Sequence, residues 1–461
     1  MLRRGLCIGL LAACGHSDRA AVEELNDAPS SPHLILIVLD TLRTEHLSVY
    51  GYERPTSPQL EAFAATATRY DRAQAAAPWT LPSHASMFTG LYPFEHGAHT
   101  LDPRRVGERV EGLNVAPLSQ AHTTLAEELR ARGYTTGAVI ANKGFLGERY
   151  QLDQGFESYE VDWWLHEDVN ERAFRFLETH REEPFFLFLN YMDTHGPYNC
   201  APRPEFPPSG SRYDAQELLK EYKHHVLEGT TPPPGVRERL LMQYDTSIAN
   251  LDEGLGELFD RLRELGLFDD ALIIVTSDHG EYFGEKDLVT HSKDVYQGAV
   301  RIPLIVKAPG QTVGRVDDRL ISHVHLGGLV LAHTAAGLTK GTFASYWPRE
   351  AVLAENYFTR MEDLKSSWGP RFMRVRSVLY DGPYKFIRSS DGQDELYHLD
   401  RDPEELHNLV DEEPERAERM RLELVARMPN ERRAEQEAAP ELTEEEMQTM
   451  RDLGYAGDED E

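Results

Sequence analysis

Cysteine is nearly absent from the 461-residue sequence, which holds only Cys7, Cys14 and Cys200. The first two fall in the first fifteen residues, in an N-terminal stretch set apart from the body. Cys200 then stands alone in the body, and an internal disulfide in the mature chain is excluded. Positive charge is also short: 48 Lys and Arg face 78 Asp and Glu, for a formal net charge of −30. No basic stripe exists to neutralise phosphates, which excludes nucleic acid as a partner. An anionic ligand would need a local cluster of cations or a metal ion working against the overall field. Internal repeats are missing, and so are long hydrophobic runs. What remains is an ordinary globular composition, 40% apolar and 27% charged. At this length the chain can bury a large core, so one large α/β domain with a smaller companion is expected.

The N-terminus reads MLRRGLCIGLLAACGHSD. Arg3 and Arg4 precede a short apolar run, too short to span a bilayer as a lone helix and laid out like a secretory signal. The ending Leu11-Ala12-Ala13-Cys14 resembles a bacterial lipobox, against the competing reading of a plain signal with an incidental cysteine. A lipidated Cys14 would make this an exported, periplasmic or outer-membrane lipoprotein of a bacterium, touching the membrane through that lipid alone. The expected organisation is a signal over 1–14, a flexible tether over 15–31, a large domain over 32–340, a small subdomain over 341–410 and an acidic helical tail over 411–461.

HLILIVLD (33–40) is a near-continuous apolar run, the pattern of a buried parallel strand, and it ends on Asp40. The pattern returns in TTGAVIAN to Asn142, in FFLFLNYMDTH to His195, in ALIIVTSDHG to Asp278 and His279, and in IPLIVKAPG. Helical patterns alternate with these runs, as in TLAEELRARG (124–133) and YDTSIANLDEGLGELFDRLRELG (244–266). The fold class that follows is α/β: a doubly wound, mainly parallel sheet with its site along the carboxyl edge of the strands. RVRSVLYDG and YKFIRSS supply short strands for a small C-terminal α+β subdomain.

Burying a carboxylate is costly unless it is paired or bound to metal, so Asp40 at the end of the most apolar strand is a candidate ligand. Asp278 and His279 end another such strand, and carboxylate with imidazole suits Zn or Mn. His195 is presented at a third strand end by the Gly-Pro-Tyr turn that follows, or pairs locally with Asp193. His291 follows on a loop, readable equally as surface or site. In AAAPWTLPSHASMFTG, Pro82 fits the first turn of a helix with Gly90 as its stop. Thr80 lies at or just before the N-terminus of that helix, where free N–H groups favour an anion. Its hydroxyl can cap the helix, the reading the local sequence favours, or act as a nucleophile if a metal lowers its pKa.

Together, LIVLDTLRTEHLSVYGY, TLPSHASMFTGLYPFEHG, IIVTSDHGEYFGE and DELYHLDRDPEELHNL resemble, in order, the motifs of the sulfatase family of the alkaline-phosphatase superfamily. The resemblance covers most of 33–410. It implies one divalent cation held by Asp40, Thr80, Asp278 and His279, with His195 and His291 facing the leaving or transferred group. It also places His84 and Lys143 as substrate-binding residues, with His84 where the family signature has arginine. Asp252 is expected to be structural.

Three departures bear on the chemistry. Thr80 stands where sulfatases carry the cysteine or serine that becomes formylglycine, Thr41 where they commonly carry a second metal aspartate, and His279 where they commonly carry asparagine. With one hydroxyl and no route to the aldehyde, a Thr80 ester would need a second displacement. The set resembles the phosphoester side of the superfamily, and no second ligand set is visible. The implied activity is hydrolysis of a sulfate or phosphate ester on a small molecule or glycan through a Thr80 covalent intermediate. Its metal is Mn or Zn by the Asp-His ligation and Ca by the sulfatase resemblance. Alternatives are an inactive lipoprotein that binds anionic glycans, or a phosphoester transferase. Specificity is expected from the loops 159–172 and 199–235, where Trp163 and Trp164 either stack a sugar ring or pack the loop.

Overall fold

The computed structural model describes residues 31–106, 114–198, 201–206, 212–334, 351–359, 361–428 and 443. The expected signal, nearly all of the tether, Cys200 and most of the acidic tail lie outside the described residues. Among those described, no helix is long and apolar enough to cross a membrane.

The main sheet has eight strands: β1 (Leu34–Leu39), β2 (Thr68–Gln74), β3 (Thr135–Ile140), β4 (Ser158–Val161), β5 (Phe185–Tyr191), β6 (Leu272–Thr276), β9 (Leu304–Lys307) and β10 (Arg315–Ser322). The hairpin strands β7 (Tyr282–Phe283) and β8 (Val289–Thr290) stand apart from it. The spatial order is β10-β2-β9-β6-β1-β5-β3-β4. All pairings are parallel except those of β9, which runs antiparallel to both β2 and β6. IPLIVKAPG therefore continues the series of buried strands in the opposite direction, because an apolar run reports burial on two faces and carries no sign of direction.

All six residues of β1 are buried, and the two-residue period of the strand splits them between two cores. Leu34, Leu36 and Val38 join a layer with Leu81, Ala85 and Phe88 of the helix Thr80–Thr89 and Leu125 and Leu129 of the helix Leu125–Ala131. Ile35, Ile37 and Leu39 face the opposite layer. There the long helix Val236–Glu264 contributes Leu240, Ile248, Leu255 and Leu262, and the helix His166–His180 contributes Val169 and Leu177. Helices thus cover both faces, and only the strand ends remain open for chemistry. Asp252 is structural: its carboxylate accepts Gln59 N (2.7 Å) and Leu60 N (3.0 Å) and so caps the helix Pro58–Ala64.

The C-terminal part forms a four-stranded antiparallel sheet of β11 (Leu353–Tyr357), β12 (Val375–Asp381), β13 (Tyr384–Ser389) and β14 (Glu395–His398). The helix Pro414–Arg427, the start of the acidic segment, buries Ala417, Met420 and Leu424 against Leu379, Phe386 and Leu396 of this sheet. One face of that helix is therefore core rather than solvated.

Candidate active site

Because β1, β3, β5 and β6 run the same way, their carboxyl ends share one edge. Asp40 follows β1, and its backbone N–H continues the ladder to Tyr191 O (2.9 Å). Asn142 follows β3 and donates its side-chain amide to Asp40 Oδ2 (2.7 Å). Asp278 and His279 follow β6. The ligand atoms of Asp40, Asp278 and His279 all lie within 4.8 Å of one another, the one such metal-fit group among the described residues. All three side chains are fully buried.

The hydrogen bonds aim this cluster. Asp278 Oδ1 accepts Thr41 N (3.1 Å) and His279 N (2.8 Å). His279 Nδ1 lies 2.9 Å from Gly280 O, a contact that puts the ring proton on Nδ1 and leaves Nε2 as an acceptor. Asp40 Oδ1 and Asp278 Oδ2 have no hydrogen-bond donor. Nε2 of His279 stands 3.3 Å from Asp278 Oδ2 and 3.9 Å from Asp40 Oδ1. Two orphaned carboxylate oxygens and an acceptor nitrogen, all buried, are costly together without a cation. Burial and the neighbouring Asp278 push Asp40 well above the usual carboxylate range. Burial likewise pushes Asp278 up to about 7 and His279 below its ordinary value. A bound cation reverses this preference by stabilising the charged carboxylates. The donor set therefore fits a divalent metal.

Gly280 has a steric reason to follow. Its N–H bonds Ala299 O (2.8 Å), and a Cβ there would lie 2.2 Å from the Gly298 carbonyl oxygen. Thr41 holds a left-handed backbone with φ 58°. Its hydroxyl donates to Thr194 O (2.8 Å), so its N–H, not its side chain, serves the cluster.

Thr80 is the first residue of its helix. Trp79 occupies the N-cap, and no side chain caps this end. The capping role favoured by local sequence is therefore not the one Thr80 plays. Its Oγ1 lies 3.5 Å from His279 Nε2 instead. The helix stops at Gly90, φ 67°, whose N–H returns to Ser86 O. Apolar neighbours bury all ten helical residues, which fixes the hydroxyl to the rigid core. His84 is buried as well, with Nδ1 2.8 Å from Thr80 O and 3.8 Å from Asp278 Oδ2, and its ring edge-on to Phe188. Its contacts are thus with the first turn of the Thr80 helix and a cluster carboxylate. Burial pushes it down to about 3, so it is a neutral ring.

The remaining candidates extend from the cluster in a row. The rings of His279 and His291 have centroids 4.6 Å apart, and those of His291 and His195 5.1 Å apart. His291 Nδ1 meets the buried Glu281 carboxylate at 3.2 Å. His195 Nδ1 donates to Gly196 O (2.6 Å), and burial holds this ring down to about 3. Asp193 pairs with His166 (2.7 Å), not with His195. Lys143 is exposed at the start of the helix Lys143–Leu146, its Nζ 3.2 Å from Asp162 Oδ1.

Sequence reading missed Glu281 and Asn142 as members of the site. Asn142 ends a strand as Asp40 does, and Glu281 follows His279 by two residues, so both carried the strand-end signal. It also missed Lys293, a buried ammonium two residues past His291 that bonds Thr290 Oγ1 (2.9 Å) and pairs with Asp363 (3.4 Å).

Comparison with known proteins places the fold in a family. The sulfatase family model matches residues 32–337. The uncharacterized sulfatase YidJ of Escherichia coli K12 is 25% identical over 430 residues, covering 83% of each chain. A choline-sulfatase of Rhizobium meliloti is 23% identical and covers 82% of each. The solved structure of the phosphonate monoester hydrolase SpPMH from Silicibacter pomeroyi superposes with a TM-score of 0.65 at 18% identity, covering 87% of this chain and 96% of that one. The chain belongs to the sulfatase family of the alkaline-phosphatase superfamily, a family of sulfuric and phosphoric ester hydrolases.

Proposed function

We propose that the protein is a metal-dependent hydrolase that cleaves a sulfate or phosphate-type ester through a covalent ester on Thr80. The observation that carries this reading is the Thr80 hydroxyl, fixed on a buried helix start 3.5 Å from His279 of the Asp40–Asp278–His279 group. A divalent cation held by those three residues and Thr80 would lower the pKa of the hydroxyl and offset charge on the ester oxygens. Thr80 Oγ1, its proton lost to solvent, forms the new bond to sulfur or phosphorus as the bond to the alcohol oxygen breaks. That oxygen takes a proton from His291, whose ring is backed by Glu281 as a general acid's ring is backed by a carboxylate. Water then cleaves the Thr80 ester, releasing the inorganic acid and restoring the hydroxyl. His195, neutral and donating through Nδ1 to Gly196 O, lines the leaving-group side. His84 holds the Thr80 turn, and Lys143 supplies a cation for the substrate oxygens.

Threonine has one hydroxyl, so the acid must leave by displacement rather than by collapse of a hydrated aldehyde. The cluster's Asp-Thr-Asp-His composition favours phosphorus esters, consistent with the phosphonate monoester hydrolase relative, while the choline-sulfatase relative keeps sulfate in view. The test is to express residues 19–461 and load separate samples with Ca, Mn and Zn. Each is assayed on p-nitrophenyl sulfate, p-nitrophenyl phosphate and a p-nitrophenyl phosphonate monoester, beside Thr80→Ala and Asp278→Ala. Turnover that both substitutions abolish, with a Thr80 ester trapped at low pH and found by mass spectrometry, is the expected result. Activity that survives Thr80→Ala overturns the nucleophile. The reading also includes export and lipidation at Cys14, which an alkyne fatty-acid label incorporated by the full chain and lost in Cys14→Ala would bear out.

A further inference from the structure

The two carboxylates of the buried cluster are held by different means. Asp278 Oδ1 is taken by two backbone donors, Thr41 N and His279 N, while its Oδ2 stands 3.3 Å from His279 Nε2. Asp40 divides its oxygens in the same way. Its Oδ1 lies 3.9 Å from His279 Nε2 without a donor, and its Oδ2 accepts a hydrogen bond of 2.7 Å from Asn142 Nδ2. Backbone holds one carboxylate, so no substitution of a donor side chain can release it. A single side chain holds the other.

Asn142 is itself fixed at every polar atom. Its N–H donates to Asn190 Oδ1 (3.1 Å) and its C=O accepts Leu146 N (3.1 Å). Its Oδ1 accepts Phe145 N (3.1 Å), as the N-cap of the helix Lys143–Leu146. An amide whose oxygen is committed to a backbone N–H presents its NH2 on the other side. Turning the amide over would break both the cap and the bond to Asp40. Asp40, Asn142 and Asn190 are all fully buried, so the bond is shielded from competing solvent and strengthened by the carboxylate charge.

This arrangement bears on which cation the cluster accepts. A carboxylate binds a metal through one oxygen or through both. Calcium gathers many oxygens and takes carboxylates in either way. Manganese and zinc need fewer ligands and accept imidazole among them. With one oxygen of each carboxylate already occupied, Asp40 and Asp278 offer one oxygen apiece, and His279 adds a nitrogen. That set is poor in oxygen for calcium.

We infer that Asn142 is a positioning residue for the metal: it restricts Asp40 to ligation through Oδ1 and thereby sets the cluster against calcium. The inference rests on the metal site of the proposed function and is independent of the ester cleaved and of Thr80 as nucleophile.

The test is calorimetric titration of metal-free wild type, Asn142→Ser and Asn142→Asp with Mn and, separately, with Ca. Melting of the three metal-free proteins is followed in parallel. Both substitutions keep an oxygen that can cap the helix, and both remove the amide donor to Asp40. The wild type should bind Mn more tightly than Ca. Asn142→Ser should lose about 10–100-fold in Mn affinity, the usual cost of removing a ligand's hydrogen-bond partner. Its Ca affinity should hold or rise, because Asp40 is then free to use both oxygens. The isosteric Asn142→Asp adds a charge that attracts both ions alike, so its Mn-to-Ca affinity ratio should fall too. It carries the test if the serine variant does not fold. A metal-free melting temperature close to wild type, with a changed ratio, separates positioning from support of the fold. Mn and Ca weakened by the same factor in both variants, or a ratio that stays at the wild-type value, overturns the role of Asn142 and leaves the metal site standing. A wild type that prefers Ca overturns the inference as well. A wild type that binds neither ion overturns the metal site itself, and the inference with it.

Discussion

Two parts of the candidate site are built in opposite ways. The cluster of Asp40, Asp278 and His279 stands on the ends of parallel strands and is aimed by local backbone bonds, from Thr41 N, His279 N and Gly280 O. The loop that carries His291 has no such frame. Within it Lys286, Asp287, Thr290 and Ser292 all hold positive φ, between 55° and 66°, a conformation that side-chain-bearing residues adopt only when the surroundings impose it. Those surroundings come from far away. Ser292 N bonds Pro78 O (3.0 Å), and Lys293 pairs with Asp363 (3.4 Å). Asp294 pairs with Arg374 (2.7 Å) and Arg376 (3.3 Å), the latter on β12 and completely buried. A second buried pair, Lys385–Glu405 (2.6 Å), takes in the Gln297 N–H through the other carboxylate oxygen. The small C-terminal sheet is therefore a brace for the His291 side of the candidate site, whereas the Asp40–Asp278–His279 cluster stands on the main sheet.

The largest effect should come from the cluster, and it should leave the fold untouched. Asp278→Asn removes a ligand and is expected to cut turnover by about 10³-fold or more. In metal-free protein the same change should not lower the melting temperature, because it deletes a buried carboxylate whose orphan oxygen costs free energy. Adding Mn should raise the melting temperature of the wild type and not of the variant. A metal-free variant that melts well below the metal-free wild type would show that the carboxylate is structural.

Breaking the brace should do the reverse. Asp294→Ala leaves two guanidinium groups short of a buried partner, a class of change that costs about 3–5 kcal/mol. The melting temperature should fall markedly in metal-free and metal-loaded protein alike. Turnover should fall less than in Asp278→Asn, by about 10–10²-fold, through kcat more than KM, as His291 loses its fixed position. Metal affinity by calorimetry should stay near the wild-type value. A large loss of metal binding would mean that the two halves are a single unit and end the contrast. Glu281→Gln is milder. It keeps the contact to His291 Nδ1 and loses the charge, so roughly tenfold in kcat is expected, with the pH profile moved on its alkaline side.

The same contrast decides what the sequence could reveal. Asp40, Asp278 and His279 were legible because a polar residue closing an apolar run marks the carboxyl edge of a parallel sheet. Thr80 was legible as a helix start through Pro82 and Gly90, yet local sequence favoured a cap. The strand end at Asp278 and His279, nearly two hundred positions away, gives the hydroxyl its other partners. The direction of β9 was hidden because burial on two faces looks alike in both directions. The brace was hidden for a deeper reason. Arg374, Arg376 and Asp294 are single charged residues in unremarkable segments, and each acquires its meaning from a partner that chain topology supplies. Asp193 shows how a local guess fails the same way, since it chose His166 over His195, two residues off.

The smallest effect separates the neutral histidines behind the site from both halves. His323 is buried, its Nε2 2.9 Å from Ser277 O and its Nδ1 accepting Ala76 N–H (3.4 Å). Those roles require the neutral ring, and burial pushes its pKa down to about 4. A base whose folded pKa lies below its unfolded value binds fewer protons in the native state, so acid favours unfolding. Its contribution is whole above pH ~6.5 and is lost as the pH falls toward 4, by at most roughly 3 kcal/mol. His323→Gln should therefore lower stability slightly at pH 7.5 and flatten the decline between pH 6.5 and 4, read by urea unfolding at fixed metal-free conditions. If the decline keeps its full slope in the variant, the acid sensitivity belongs to other buried rings, with His84 and His195, both held to about 3, next in line. His195 sits on the histidine row and His84 beside the cluster, so substituting each in turn would show which half of the site yields first to acid.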